Sequence, residues 1–362
     1  MTEPLSPEQE EETGSKQAPK PGLGQRIFRW LVGLLILSLV LGSILLYLGW
    51  RDYRAFVETP LAIPEQGLVF EILPGSSIRA ISREMVKAGW LASAERMEVL
   101  ARSEHYASRI QAGRFRLESG MTPRDVLKRF ASGKVLQYQL TLLEGWNFRQ
   151  IMQAVTASDD LSRTLPNSHP DTVMQALGFP DQHPEGRFFP DTYHFPADTT
   201  DVRFLARAYR TMQERLRTVW ETRDEDLPLA SAYEALILAS IIEKETGMAA
   251  ERPQIAGVFV RRLRKGMRLQ TDPTVIYGMG EAYQGNIRRR DLRADTPYNT
   301  YTRKGLPPTP IAMPGAGALS AAVHPAAGDN LYFVAKGDGS HHFSATLKEH
   351  NKAVRTYQLK RQ

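Results

Sequence analysis

The sequence predicts an α+β protein with a single transmembrane helix near its N-terminus, then a small αβ module and a larger mixed α/β domain. Three features lead to this prediction: an uncharged apolar run at residues 30–50, strand-like and helix-like segments between residues 67 and 200, and an apolar helix at residues 232–247. With 362 residues, of which 42% are hydrophobic, the chain is long enough for two or three domains.

The composition excludes several kinds of chemistry. The chain has no cysteine, which rules out a disulfide framework, a thiolate nucleophile, an iron–sulfur cluster and a cysteine zinc site. Its eight histidines form no His-Glu-x-x-His pattern, and His341-His342 is expected in a polar loop, so no metal site is predicted. The 46 Lys and Arg residues against 40 Asp and Glu give a net charge of +6, but they are scattered, which disfavours nucleic-acid binding.

The uncharged run from Trp30 to Trp50 has the length of a membrane-spanning helix. About 20 apolar residues cross a hydrocarbon core about 30 Å thick, and Trp30, Tyr47 and Trp50 lie near its ends, where aromatic side chains favour the membrane interface. A cleaved signal peptide is the alternative, but the run exceeds the usual ~7–15 apolar residues and no Ala-x-Ala site follows. More Lys and Arg precede the run than follow it, which predicts a cytoplasmic N-terminus.

The segments beside this run have the composition of a tail and a linker. Residues 1–29, rich in Glu, Pro, Ser and Gln at their start, are expected to form a disordered cytoplasmic tail. Residues 30–50 are the predicted transmembrane helix and residues 51–66 a linker that reaches at most roughly 55 Å when extended. The rest of the chain is therefore expected to lie outside the membrane and close to it.

Local signals predict the elements of the next two units. Strand-like segments occupy residues 68–73 and 135–143, and the first is followed by apolar positions with helical spacing. A helix start is clear at Thr122, which is followed by Pro at the first helical position and Asp at the third. We therefore expect a small αβ module at residues 67–136 and a connecting αβ unit at residues 137–200.

A possible internal repeat relates these two units. Residues 72–81 resemble residues 142–151, and Gly113-Arg114-Phe115 resembles Gly186-Arg187-Phe188 in the same order along the chain. Each match is short, so a coincidence is the alternative interpretation. A further amphipathic helix is predicted at residues 201–222.

The apolar helix at residues 232–247 ends in a Glu-Lys-Glu sequence and is stopped by Gly247. The helix dipole disfavours carboxylates at this end, so each acid either points to solvent or has its pKa raised by burial. Glu245 lies over the apolar stripe of the helix, whereas Glu243 lies over a smaller and more polar face. Glu245 is therefore expected to be half-buried and to hold a proton near neutral pH; two solvated acids at a frayed end are the alternative.

Polar and aromatic residues after this helix predict a sugar-binding groove. Residues 269–274 form a polar, turn-forming stretch after a basic helix at 258–264, and residues 298–301 place two tyrosines beside Asn and Thr. Aromatic rings pack on the C–H faces of sugars, and amides bind their hydroxyl groups. Structural roles are the alternative: Asp272-Pro273 can be a simple turn, and each tyrosine can belong to the core.

These motifs resemble those of the YceG-like family of endolytic murein transglycosylases, over residues 70–350. The resemblance is carried by Gly186–Tyr193, Ala239–Thr246, Arg268–Gly278, Tyr298–Tyr301 and Gly305–Pro308. It implies an N-terminal membrane anchor, a LysM-like module at residues 67–136 and a catalytic domain at residues 201–362. It also implies that the catalytic glutamate is the second acid of Glu-Lys-Glu-Thr. This is Glu245, the residue that the helical-face argument selects.

The resemblance further implies a reaction that needs neither cofactor nor water. Lytic transglycosylases cleave the bond between N-acetylmuramic acid and N-acetylglucosamine, and a single carboxyl acts first as acid and then as base, leaving a 1,6-anhydromuramoyl end. Glu245 is assigned this role. The residues expected to line the groove are Gln270, Asp272, Tyr298, Asn299 and Tyr301.

The setting implied is the cell inner (plasma) membrane, crossed once, with the catalytic domain on the periplasmic side. The expected partners are peptidoglycan glycan strands, the membrane and peptidoglycan synthases, with no nucleic acid. Cleavage of nascent strands there is expected to terminate their elongation.

Two other functions fit the same residues. A hydrolytic muramidase would use Asp272 as a second carboxylate, since ordinary glycosidases need two, and its product ends would be heavier by one water. A non-catalytic glycan-binding scaffold of the wall-synthesis machinery would bind the wall and produce no new ends. The scaffold is the weaker alternative, because a binding protein has no reason to hold an acid at the end of an apolar helix.

Overall fold

The computed structural model describes residues 23–359, and the chain divides into two compact units, Met1–Lys134 and Val135–Gln362. Most of the predicted cytoplasmic tail, residues 1–22, lies outside the described residues. The described residues form α-helices and three two-stranded antiparallel sheets, so the predicted α+β class is confirmed. The two units are called the N-terminal and C-terminal units below.

The N-terminal unit is a long helix followed by a small βααβ arrangement and one more helix. Its elements are α1 (Leu23–Glu58), β1 (Leu68–Ile72), α2 (Ile78–Lys87), α3 (Ala94–Ser103), β2 (Gly113–Leu117) and α4 (Pro123–Ala131). Strands β1 and β2 pair antiparallel with Phe70 opposite Phe115. The rings of Phe70 and Phe115 both pack on Phe130 of α4, at centroid distances of 5.6 and 5.1 Å. Helix α4 begins at Thr122 with a capping box, as its sequence predicts.

Helix α1 is longer than the predicted membrane span at both ends. The segment Ile27–Glu58 contains an 18-residue window with a mean hydropathy of 2.7, and no residue of that window is buried. By length and composition this segment is a candidate membrane span. The helix continues through residues 51–58, where we expected a linker. That expectation is wrong for those residues because the end of α1 packs on α3 and α4, burying Phe56 and Val57.

The segment that follows α1 is also held to the N-terminal unit. The Leu61 N–H donates to the Met121 carbonyl at 2.8 Å, and the Ala62 N–H donates to the Trp90 carbonyl at 3.1 Å. Leu61 itself is buried. Residues 51–66 therefore span a much shorter distance than the same residues would in an extended chain.

The C-terminal unit begins with a second βααβ arrangement. Its elements are β3 (Gln137–Thr141), α5 (Phe148–Ala157), α6 (Pro170–Leu177) and β4 (Thr192–Pro196), with β3 and β4 antiparallel. The first half of the predicted repeat thus falls on equivalent elements in both units. The second half does not, because Gly113–Phe115 begins β2 whereas Gly186–Phe188 precedes β4. There Phe188 is fully buried and stacks on Phe148 instead.

The rest of the C-terminal unit is mainly helical. Its elements are α7 (Asp201–Glu221), α8 (Ala232–Glu245), α9 (Arg252–Arg264), α10 (Asp272–Met279), α11 (Arg289–Arg293), α12 (Ala316–Val323), β5 (Tyr332–Ala335), β6 (His341–Ser344) and α13 (Leu347–Val354). Helix α8 contacts α7, α9, α10 and α12, and residues 235–242 are buried without a gap. This burial explains why its sequence is apolar on nearly every side.

One alternative interpretation and one prediction in this part of the chain are wrong. Asp272-Pro273, for which a simple turn was the alternative, opens α10, because Pro is favoured in the first turn of a helix, where its missing N–H is not needed. His341-His342, expected in a polar loop, lies on β6, which pairs antiparallel with β5 and places His341 opposite Ala335.

Candidate functional site

Helix α8 carries Glu245 to the wall of a polar cavity of about 520 Å³ in the C-terminal unit. The buried body of α8 fixes the position of its last turn. Side chains from other elements line the same cavity. The polar and charged ones include Arg262, Gln270, Thr271, Asp272, Tyr301 and His341. The structure therefore brings four of the predicted site residues together: Glu245, Gln270, Asp272 and Tyr301.

The carboxyl group of Glu245 takes up and releases its proton near neutral pH. Burial raises its pKa to about 7, and the charge of Asp272 acts in the same direction. A hydrogen bond from the Thr271 hydroxyl to Oε1 and the charges of His341 and Arg262 oppose this shift. A carboxyl that titrates near 7 can donate a proton at neutral pH and accept one later in the same cycle.

Glu243, two residues before Glu245 on α8, has a different environment. Its side chain is only 6% exposed and accepts hydrogen bonds from Arg252 Nη2 and from the Gly315 N–H, both at 3.0 Å. The sequence places Glu243 over a smaller and more polar face of α8, and in the structure α9 and the start of α12 cover that side chain. Burial raises its pKa, while Gly315 and Arg252 act against the rise. Glu243 therefore joins three helices.

Asp272 and Tyr301 form a hydrogen-bonded pair in the Glu245 cavity. The Tyr301 hydroxyl donates to Asp272 Oδ1 at 2.5 Å. Burial, together with this carboxylate, raises the pKa of the Tyr301 hydroxyl. Gln270 adopts a positive φ of 51°, and its Oε1 accepts from Arg262 Nη1 at 3.3 Å. These contacts fix three polar side chains around the acid.

Asn299 and Tyr298 do not line the Glu245 cavity. Asn299 is 1% exposed, and its amide nitrogen donates to the carbonyls of Asp291, Leu292 and Ala294 at 3.2, 3.2 and 2.6 Å. Its polar atoms hold the loop that precedes Tyr301. Tyr298 lies instead in a second cavity, where its hydroxyl pairs with Thr309 at 2.8 Å.

Arg262, Thr271 and His341 also line the Glu245 cavity and are not among the predicted site residues. His341 makes two hydrogen bonds to the Glu251 carboxylate, from its ring Nδ1 at 2.7 Å and from its backbone N–H at 2.9 Å. Both side chains are mostly buried. Arg262 donates to the carbonyls of Leu331 and Leu269 at 2.7 and 2.8 Å, which ties β5 to the start of the loop before α10. No local sequence pattern predicts these contacts, because His341 and Glu251 are far apart in the sequence.

A second cavity, of about 680 Å³, also lies within the C-terminal unit and contains another buried acid, Glu185. Glu185 is 3% exposed and accepts hydrogen bonds from the Phe148 N–H and the Tyr277 hydroxyl, each at 3.0 Å. Burial raises its pKa to about 7. Because its oxygens are occupied at the N-terminus of α5, Glu185 has the contacts of a structural acid. The motif that begins at Gly186 did not point to it.

Metal ligands do not gather in this part of the protein. Within residues 23–359 there is no group of three or more His, Cys, Asp or Glu side chains arranged to hold an ion. The described site residues therefore offer acid–base and hydrogen-bonding chemistry.

Comparisons with known proteins agree with the motifs. A sequence model described as the YceG-like family matches residues 70–356. The endolytic murein transglycosylase of Bacillus subtilis (strain 168) is 35% identical over 302 residues, which is 78% of this chain and 82% of the relative. The endolytic murein transglycosylase of Streptococcus pneumoniae serotype 2 (strain D39) is 27% identical over 344 residues, which is 84% of this chain and 62% of the relative. A crystal structure of a YceG-like protein from Listeria monocytogenes is 30% identical, with a TM-score of 0.49, over 80% of this chain and 99% of that one.

Fold and site together define an α+β protein with a buried carboxyl of raised pKa at a polar cavity. The chain belongs to the YceG-like family. The resemblance seen in its motifs is thereby confirmed.

Proposed function

We propose that this chain is a membrane-anchored endolytic lytic transglycosylase that acts on peptidoglycan. The lytic transglycosylase class rests on relatives whose names state that activity. The observation that carries the mechanism is the Glu245 carboxyl, which faces a polar cavity with its pKa raised to about 7 by burial. The substrate bond is the one between N-acetylmuramic acid and N-acetylglucosamine in nascent strands.

In the proposed reaction Glu245 acts twice. Its protonated carboxyl donates to the oxygen that leaves with N-acetylglucosamine, and the C1–O bond of the muramoyl residue breaks. The resulting carboxylate then accepts the proton of the muramoyl C6 hydroxyl, and O6 bonds to C1 to form the 1,6-anhydro end. The Thr271 hydrogen bond and the charges of His341 and Arg262 favour the carboxylate formed in between. No water is consumed, and Glu245 ends the cycle protonated.

A hydrolytic muramidase is the second candidate function. Asp272 lines the same cavity as Glu245 and is held by the Tyr301 hydroxyl, so a second carboxylate is available near the acid. Such an enzyme would use Asp272 as nucleophile or as the base that activates water. The two reactions leave different muramoyl ends on the same substrate.

The anchoring part of the proposal concerns α1 and the N-terminal unit. The apolar part of α1 is proposed to cross the inner (plasma) membrane once, with the N-terminus in the cytoplasm and the catalytic part in the periplasm. The βααβ arrangement of β1, α2, α3 and β2 supports the assignment of a LysM-like module at residues 67–136. Because the end of α1 packs on this unit, the enzyme is held near newly made strands and beside peptidoglycan synthases, where cleavage terminates elongation.

The test is digestion of purified glycan strands by the full chain in detergent, followed by mass spectrometry of the product ends. We expect 1,6-anhydromuramoyl ends from the wild type and a loss of product of about 10²–10⁴-fold from Glu245→Gln. Undiminished anhydro product from that variant would refute the role of Glu245. Ends heavier by one water would identify a muramidase, and the absence of new ends from the wild type would favour the scaffold.

A further inference from the structure

The second cavity lies beside the Glu245 cavity and shares a wall with it. The last turn of α8 and the first turn of α10 form that wall: Glu245 and Asp272 line the first cavity, and their chain neighbours Lys244 and Pro273 line the second. Consecutive Cα atoms are about 3.8 Å apart, and consecutive helical side chains point about 100° apart. Glu245 and Lys244 are therefore consecutive residues that serve neighbouring cavities, so a branch of a ligand at Glu245 has a short distance to span to Lys244.

Lys244 brings a positive charge to this second cavity. Its side chain is exposed, and its Nζ donates to the Gly145 carbonyl at 3.2 Å. Within the described residues it makes no ion pair with a carboxylate, so two of its three N–H donors remain for a ligand. The other cation of the cavity, Arg149, is already paired with Glu281 at 2.7 Å. Lys244 is thus the charged group that an incoming anion meets next to the acid.

Aromatic and polar side chains share the remaining walls of the second cavity, and the uncharged polar ones are Asn147, Gln150 and His183. Tyr277 and Tyr298 pack edge to face at 4.9 Å, and Tyr283 and Ile276 extend the surface. Glu185 lies among them with its oxygens already bonded. A cavity with one available ammonium group, aromatic surface and amide side chains suits a flexible peptide chain that carries a carboxylate.

The substrate offers such a branch at the right place. In peptidoglycan the muramoyl ring that reacts at C1 carries a lactyl ether at C3, and a short peptide with free carboxylates extends from it. We propose that the second cavity binds this peptide stem and that Lys244 holds one of its carboxylates. This inference rests on the proposed function, since it assumes that the muramoyl ring lies at Glu245. It makes Lys244 a residue that selects strands bearing peptides over bare glycan.

A structural role for Lys244 makes a different prediction. Its side chain lies over Gly145, in the turn that joins β3 to α5, and this glycine has a φ of +75°. If the lysine serves only to hold that turn, its loss weakens the fold and lowers activity on every substrate alike. Substrate dependence therefore separates the two roles.

The experiment compares two substrates with the full chain in detergent: glycan strands with their peptide stems, and the same strands stripped of stems by an amidase, with the lactyl carboxylates that this frees capped as methylamides. We expect Lys244→Met to lower kcat/KM on stem-bearing strands by about 10–100-fold, mainly through KM, and to leave stripped strands unaffected. Lys244→Arg should retain most of the activity because it keeps the charge. The matched control is Lys265→Met, an exposed lysine at the end of α9.

Equal loss on both substrates, with a lower Tm, would overturn the proposal in favour of the structural role. No loss on either substrate would overturn it as well. A binding measurement keeps the proposal testable even if the chain cleaves neither substrate. N-acetylmuramic acid linked to its peptide stem should bind the wild type about 10–100-fold more tightly than Lys244→Met, and equal affinity would refute the stem site while leaving the proposed function untouched.

Discussion

The two sides of the last turn of α8 carry acids of the same type with opposite surroundings. Burial raises the pKa of both Glu243 and Glu245. Glu243 is enclosed by Arg252 and the Gly315 N–H, whereas Glu245 has one hydroxyl donor, Thr271, and an open polar cavity. Both acids are buried, so burial does not distinguish them. Under the proposed mechanism, the features that suit Glu245 to donate a proton are the lack of a cationic partner in contact with it and the cavity that it faces.

The largest expected effect is the loss of cleavage activity when Glu245 is replaced. Glu245→Gln should lower the cleavage rate by about 10²–10⁴-fold while leaving the fold intact, since the amide keeps the shape of the side chain and removes a buried charge. Initial rates and thermal unfolding of the purified variant provide the measurement. A variant that keeps the wild-type rate would mean that Glu245 and Glu243 do not differ in the way proposed.

The next effect concerns the stability of the Glu243 side. Arg252→Met leaves the Glu243 carboxyl, 6% exposed, without its cation, and removing one partner of a buried pair costs about 3–5 kcal/mol. Urea unfolding at neutral pH measures the loss. Arg217→Met, which breaks an exposed pair with Glu221, should cost less than about 1 kcal/mol and serves as the control. A similar small loss for Arg252→Met would show that the pair does not anchor α8.

The third prediction uses Glu185, a buried acid outside the Glu245 cavity. Its pKa is raised from 4.5 to about 7, so the folded state keeps the proton that the unfolded state releases. Stability is then highest below pH 4.5 and falls as pH rises toward 7, by about 3 kcal/mol for this group. Glu185→Gln should remove that part of the loss between pH 5 and pH 8, as measured by chemical unfolding at both values. An unchanged pH dependence would contradict this assignment.

The smallest effect adjusts the acid itself. The Thr271 hydroxyl favours the ionised form of Glu245, so Thr271→Val should raise the pKa of that carboxyl. One hydrogen bond of about 1 kcal/mol corresponds to a shift of about 0.7 pH units of the alkaline limb of the rate profile, toward higher pH. Thr218→Val, on the exposed face of α7, should not move the limb. A shift toward lower pH would show that Thr271 acts in another way.

Local signals in the sequence were sufficient for much of the fold. The capping residue Thr122, the apolar helix α8 and the strands β1 and β3 each follow from neighbouring residues, and the structure contains them near the predicted limits. The position of Glu245 over an apolar stripe also follows from helical spacing, which is a local property.

Long-range contacts account for what the sequence did not reveal. The burial of Glu243 depends on Arg252 and Gly315, which belong to other helices. The pair of His341 and Glu251 joins residues on separate elements. Side-chain periodicity within one helix carries no information about such neighbours, so it could not predict that Arg252 and Gly315 enclose Glu243.

Titration of the Glu245 carboxyl is the sharpest test of its proposed role as the proton donor. Infrared difference spectra of the full chain, with Glu245→Gln as the reference, isolate the C=O band of this one protonated carboxyl from that of Glu185. We expect a band that is present at pH 6 and disappears with an apparent pKa of about 7. A Glu245 carboxyl that is already fully ionised at pH 6 would contradict its role as the proton donor.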